Sequence, residues 1–212
     1  LLLKSEATLT PLTPISTQTY GEAVSLSLNG NVMAVGSPHS GTANYGEVDI
    51  YHLIDNAWVH QKNISNGINN ERLGESLSLS DDGKVLAIGA SGLDGSTYNK
   101  KGYVEIWHYD TNWTKDATIN DPELDGDAAN DNFSISVSLN SDGKRLAIGC
   151  NRYSSEGRVF IYDKSTTWSL SYDTSSPAPE NYEEFGTSVE LSSDGTKLAV
   201  SSPTFDDGNH GR

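Results

Sequence analysis

The sequence predicts an all-β fold: a β-propeller of four-stranded antiparallel blades, with about three and a half blades in 212 residues. Two observations predict it. Short strands separated by Gly-containing turns run through the whole chain. That pattern occurs four times, with spacings of 53, 60 and 52 residues measured at Gly21, Gly74, Ser134 and Gly186. A four-stranded unit recurring at such a period is the signature of a propeller blade. No helical alternative competes, because no segment spaces its apolar residues at i, i+3, i+4 and i+7 over three turns.

The clearest copy runs from Leu73 to Trp113. Ser76 to Leu79 alternates small polar with apolar residues, as a half-buried strand does. Asp81-Asp82-Gly83-Lys84 follows as a turn, in which Asp offers local side-chain hydrogen bonds and Gly tolerates a positive φ. Val85 to Ala90 is nearly all apolar and short enough to be a fully buried strand. Gly102-Tyr103-Val104-Glu105-Ile106-Trp107 alternates again as a third strand, and Trp113 opens a fourth.

The other copies match element by element. Tyr20 to Leu26, Phe133 to Leu139 and Phe185 to Leu191 repeat the first strand and its lead-in. The turn returns as Asn29-Gly30, Asp142-Gly143 and Asp194-Gly195. The buried strand returns as Met33-Ala34-Val35-Gly36, Leu146-Ala147-Ile148-Gly149 and Leu198-Ala199-Val200-Ser201. Gly46 to Tyr51 and Gly157 to Tyr162 repeat the third strand, and Trp58, Trp113 and Trp168 follow each third strand. The chain thus divides into 1–19, the outer strand of a preceding blade (Leu3 to Leu9) with its connection; blades at 20–72, 73–132 and 133–184; and an incomplete blade at 185–212.

These residues resemble the FG-GAP repeat of integrin α-chain-like propellers. The resemblance rests on Tyr20-Gly21, Leu73-Gly74 and Phe185-Gly186, on Gly36-Ser37-Pro38, Gly89-Ala90 and Ser201-Ser202-Pro203, and on the Gly-x-Val-x-Ile third strands. It covers the chain from Tyr20 onward and implies a seven-bladed ring on a secreted or surface protein. The WD repeat is the nearest confusable pattern, but its period is only about 40–45 residues. In the integrin-like family the turn between first and second strands holds calcium as Asp-x-Asp-x-Asp-Gly. Here those turns, such as Ser80-Asp81-Asp82-Gly83, carry at most two carboxylates, so the sequence departs from the calcium pattern.

Net charge is −15 and the sequence pI about 4.5. Lys and Arg are scattered apart from Lys100-Lys101, which argues against binding a nucleic-acid backbone. No apolar run of about 18 residues exists to form a membrane-spanning helix. Leu1-Leu2-Leu3 is too short for a signal-peptide core, and Gly211-Arg212 matches the start of the third strand at Gly157-Arg158. The expectation is therefore a segment of a longer precursor that breaks off in mid-blade.

Individual residues read mostly as structure. Cys150 aligns with Ser37, Ala90 and Ser202 and is expected as a small buried residue rather than a disulfide partner. His52 and His108 occupy equivalent places and are expected to pack; His39, His60 and His210 form no zinc spacing with them. The three tryptophans are expected to pack between blades, with sugar-stacking platforms as the other reading. Ser25, Ser27, Ser76, Ser78, Ser136 and Ser138 suit the crowded inner end of a blade. The acidic window from Asp121 to Asp131 reads as a solvated loop, with a Ca²⁺ site as its alternative. Sequons stand at Asn63, Asn112 and Asn132; Asn63 is the favoured acceptor, because the other two precede aromatics expected to pack.

No catalytic, cofactor-binding or metal-binding residue is assigned. The sequence contains no nucleophile elbow and no phosphate loop. The expected function is that of a non-catalytic extracellular or cell-surface module for protein–protein adhesion or structural assembly. Its partners would be other proteins or further segments of the same larger chain, with glycans as a further class. A carbohydrate- or cation-binding lectin-like module and the scaffold of a propeller enzyme are the alternatives.

Overall fold

The computed structural model describes residues 7–11, 19–41, 44–92, 102–122, 131–177 and 183–204. They form an all-β structure whose one helical element is a single 3₁₀ turn at Tyr153–Ser155. The first sheet contains β1 (Ala23–Leu26), β2 (Val32–Ser37), β3 (Glu47–Ile54) and β4 (Ala57–Ile64). The second contains β5 (Ser76–Leu79), β6 (Val85–Ala90), β7 (Tyr103–Tyr109) and β8 (Trp113–Asn120). The third contains β9 (Phe133–Leu139), β10 (Arg145–Cys150), β11 (Arg158–Lys164) and β12 (Trp168–Thr174). A pair, β13 (Val189–Leu191) and β14 (Leu198–Val200), makes the fourth. Each four-stranded sheet is an antiparallel meander with its strands in chain order, and no sheet closes on itself. Residues 7–11 form no strand; the rest of the outer strand expected at Leu3 to Leu9 lies outside the described residues.

The turn chemistry explains why the first two strands pair so regularly. Gly30, Gly83, Gly143 and Gly195 have φ between 66° and 72°, a conformation that costs Gly nothing. Each donates its N–H back to the carbonyl three residues earlier, on Ser27, Ser80, Asn140 or Ser192. The preceding Asn29, Asp82, Asp142 or Asp194 accepts the N–H two residues on, at 2.9–3.0 Å. At Asp194 these bonds, that of the Ser192 hydroxyl foremost, hold the carboxyl down to a pKa of about 2.

The outer pair of strands carries a second repeated device. The ladder shifts register between Ile50 and Tyr51, between Ile106 and Trp107, and between Ile161 and Tyr162, the same place in every sheet. The extra residues on the partner strands are Gln61, Asp116 and Ser171. A bulge increases the local twist, so all three sheets are twisted alike at their outer edge.

Consecutive sheets stack face to face, and strand alternation supplies both faces with apolar residues. Ala34, Val48, Ile50 and Ile64 of the first sheet meet Leu86, Ile88, Ala90 and Trp113 of the second. Ala87, Val104, Ile106 and Ile119 on the far side of the second meet Leu146, Ile148, Phe160 and Tyr162 of the third. Ala147, Val159 and Ile161 then meet Val189, Leu191 and Phe185. The first three sheets each turn an Ala of the second strand (Ala34, Ala87, Ala147) toward the next sheet, and the second and third turn Leu86 and Ile88, or Leu146 and Ile148, toward the previous one. Glycines let the backbones close up. Gly46 and Gly157 bridge in parallel to Leu73 and Phe185, the lead-in residues of the following sheet.

Candidate binding surface

The first strands lie side by side, and the same hydrogen bond recurs between each and the next. Ser25 Oγ accepts the N–H of Leu79, Ser78 Oγ that of Leu139 and Ser138 Oγ that of Leu191, each at 2.9 Å. The turns continue the chain of bonds: Leu28 N–H to the Asp81 carbonyl, Asp81 N–H to Ser141, and Ser141 N–H to Ser193. The bonding explains why these positions are serines. They were expected to be small; their hydroxyls also satisfy backbone donors that no strand partner reaches.

Between these strands opens a groove of about 410 Å³, lined by Ser25, Ser78, Leu28, Asp81, Ser141 and Glu190 among others. Its walls come from all four sheets, so it is a feature of the stack and of no single repeat. The lining is largely hydroxyl, backbone and carboxylate, and it carries no histidine or cysteine. That chemistry suits recognition of polar or cationic groups by hydrogen bonding and gives no nucleophile–base pair.

A second polar cluster lies on the face of the first sheet that looks away from the second. Asp49, 3% exposed, accepts from Asn63 Nδ2 and pairs with His60 Nε2, both at 2.9 Å. Asn63 also donates to Glu47, which accepts the Ser40 hydroxyl. The Tyr20 and Tyr51 hydroxyls share a 2.8 Å hydrogen bond beside it. Burial first, and then the bond to Tyr51, raises Tyr20 well above the ordinary tyrosine range. These groups consume one another's hydrogen-bonding capacity.

The remaining sequence candidates fall as follows. Cys150 is fully buried and donates to the Asp131 carbonyl at 3.2 Å, the small buried residue expected. Trp113 is buried at 3% against Tyr109 and His52, its Nε1–H aimed at His52 Nε2 across 3.4 Å. Trp168 packs half-buried on the core between the second and third sheets. Trp58 is half-buried on the open face of the first sheet. His52 packs between Tyr109 and Trp113, whereas His108 is exposed, which corrects the packing role expected for it. His108 lies on the same face of β7 as the buried Val104 and Ile106, but the residue of the third sheet that matches Tyr109, which covers His52, is Lys164. His210 lies outside the described residues.

Asp121 and Asp131, at the ends of the acidic window, are each 6% exposed, so these two positions are not solvated as expected; residues 123–130 lie outside the described residues. No group of three or more His, Cys, Asp or Glu side chains is placed to hold a metal ion among the described residues. Of the sequons, Asn63 and Asn112 are exposed and Asn132 is buried. Asn63 spends its amide on Glu47 and Asp49, and Asn132 is 5% exposed and bonded to Asn151. Asn112 stands exposed in the turn between β7 and β8.

Neither a protein-family model nor a curated protein sequence matches the chain.

Proposed function

We propose that the chain is an arc of a β-propeller with FG-GAP-like blades and serves as a non-catalytic module for protein–protein adhesion or assembly outside the cell. The observation that carries this reading is the constancy of the contact between successive sheets. The same Ser-to-Leu hydrogen bond, at the same length and register, joins three successive pairs of first strands. A fixed operation applied again and again to four-stranded meanders generates a ring with those strands innermost. The bulges that twist each outer strand alike support the same arrangement. The polar groove along the first strands then becomes the wall of a central channel, and the turns at its rim become the recognition surface.

Non-catalytic recognition fits the chemistry of both polar clusters, whose groups are tied to one another or to backbone. Of the three tryptophans that the lectin alternative would use, Trp113 is enclosed between two sheets. The test is attachment of cells, or of isolated surface proteins, to plates coated with the folded chain. Attachment lost on thermal unfolding and unchanged by free sugars is expected. Equal attachment to folded and unfolded protein, or turnover on polysaccharide and ester panels, would overturn the reading.

A further inference from the structure

The fold treats the three sequons differently. Asn112 stands in the turn between Tyr109 and Trp113 that closes β7 on β8, and Asp110, Thr111 and Asn112 are all exposed there. Its side-chain amide has no hydrogen-bond partner among the described residues. Trp113 is 3% exposed, its ring against His52 and Tyr109, and so anchors the hairpin. Thr114, which completes the sequon, is next along the strand and is exposed.

The other two acceptors are committed to the protein. Asn132 is 5% exposed and donates from Nδ2 to Asn151 Oδ1 at 2.9 Å. An oligosaccharide on that nitrogen would have to push aside the residues that bury it. Asn63 is exposed, but its Nδ2 donates to Glu47 at 3.1 Å and to Asp49 at 2.9 Å, and Asp49 is 3% exposed. Glycosylation replaces one of the two hydrogens on Nδ2. One of the two carboxylates then loses a donor, which is costly where the acceptor is buried.

We propose that Asn112 is the N-glycosylation site of this chain, and that in the folded, secreted protein Asn63 and Asn132 stay unmodified. The proposal rests on the extracellular reading, because the sugar donor is met on a secretory route. In the transfer, the Asn112 amide nitrogen attacks C1 of an oligosaccharide linked to a lipid pyrophosphate. The N–C1 bond forms, the bond from C1 to the pyrophosphate oxygen breaks, and the lipid pyrophosphate leaves while the amide gives up one proton. Transfer precedes folding, so the unfolded chain offers all three acceptors. Folding then selects among the products: a chain with sugar on Asn132 cannot bury that residue and is retained in the cell. The sheet order puts the β7–β8 hairpin at the edge away from β5, whose Ser78 lines the polar groove. The sugar therefore stands at the edge of the sheet opposite the proposed recognition surface.

The test expresses the chain behind a secretory leader in cultured animal cells. Enzymatic release of N-glycans in heavy-oxygen water, followed by mass spectrometry of the peptides, reads each site separately. The secreted fraction is expected to carry its glycan on Asn112. Asn112→Gln and Thr114→Ala each abolish it, whereas Thr114→Ser, which keeps a hydroxyl, retains it. Sugar on Asn132 is expected only in the retained fraction. Circular dichroism of the secreted variants establishes that they are folded. Secreted, folded chain that is unmodified at Asn112 would overturn the proposal. So would secreted chain that carries sugar on Asn63 or Asn132 as fully as on Asn112. Because the leader imposes the route, neither result bears on the extracellular reading, which the attachment assay tests by itself.

Discussion

The hydroxyl of Ser78 accepts the backbone N–H of Leu139 at 2.9 Å, although 61 residues separate them. One sheet thereby supplies the acceptor that the next sheet's first strand lacks. Ser78 keeps its backbone pairing with Ala87 while its hydroxyl accepts from Leu139, which gains a partner on the side of its strand that faces away from β10. The relationship predicts that Ser78→Ala strands a donor at a sheet junction. A loss of about 1–3 kcal/mol is expected, the cost of an unsatisfied buried group. Urea unfolding followed by tryptophan fluorescence checks it: the midpoint should fall with the slope unchanged.

Gly89 makes a sterically purer case, because its φ is ordinary and only space is at issue. A Cβ there would press on the Ser76 hydroxyl and the Ser134 carbonyl, neither of which can move without breaking the bond between them. Gly89→Ala is expected to cost about 1–3 kcal/mol or more through overpacking. Gly67→Ala meets open space and is penalised only for its positive φ, about 1–2 kcal/mol. Thermal melts of the two variants should therefore rank Gly89→Ala as the less stable.

Trp113 fills the junction between the first and second sheets. Trp113→Ala is expected to cost about 3–5 kcal/mol, the range for removing a large aromatic from a core. Binding to glycans, if measured in parallel, should not depend on this residue except through unfolding. A folded Trp113→Ala variant with undiminished stability and selectively lost sugar binding would return the residue to a platform role.

His52 gives the chain a pH dependence of known sign. Burial between aromatic rings lowers its pKa in the folded state below the ordinary value of about 6.5. The folded state then binds fewer protons than the unfolded one as pH falls through that value. The His52 contribution to stability is full above about pH 6.5 and declines below it. Melting temperatures measured between neutral and mildly acidic pH should fall on the acid side, and His52→Gln should flatten that slope.

The repeat, its strands and its turns were legible in the amino-acid order, because each depends on neighbours close in sequence. Alternation over four to eight residues marks a strand, and Asp82-Gly83 carries its turn chemistry within four residues. The predicted strands Ser76–Leu79 and Val85–Ala90 are the observed ones to the residue. Cys150 and Trp113 were placed in the interior for the same reason. His108 was misplaced because its alignment with His52 describes the repeat, whereas its exposure depends on what stacks against that sheet. Only the tertiary structure showed that Ser25, Ser78 and Ser138 bond to the following sheet, or that Asn63 is tied to a buried Asp49. It also decided that Leu26 is bare where Leu79 is covered. The serine bonds join residues more than fifty apart, in sheets whose local sequences are nearly interchangeable, and the Asn63–Asp49 tie crosses two strands of one sheet. Local patterning sets what each repeat is; the stacking of one sheet on another sets which of its identical positions meet water.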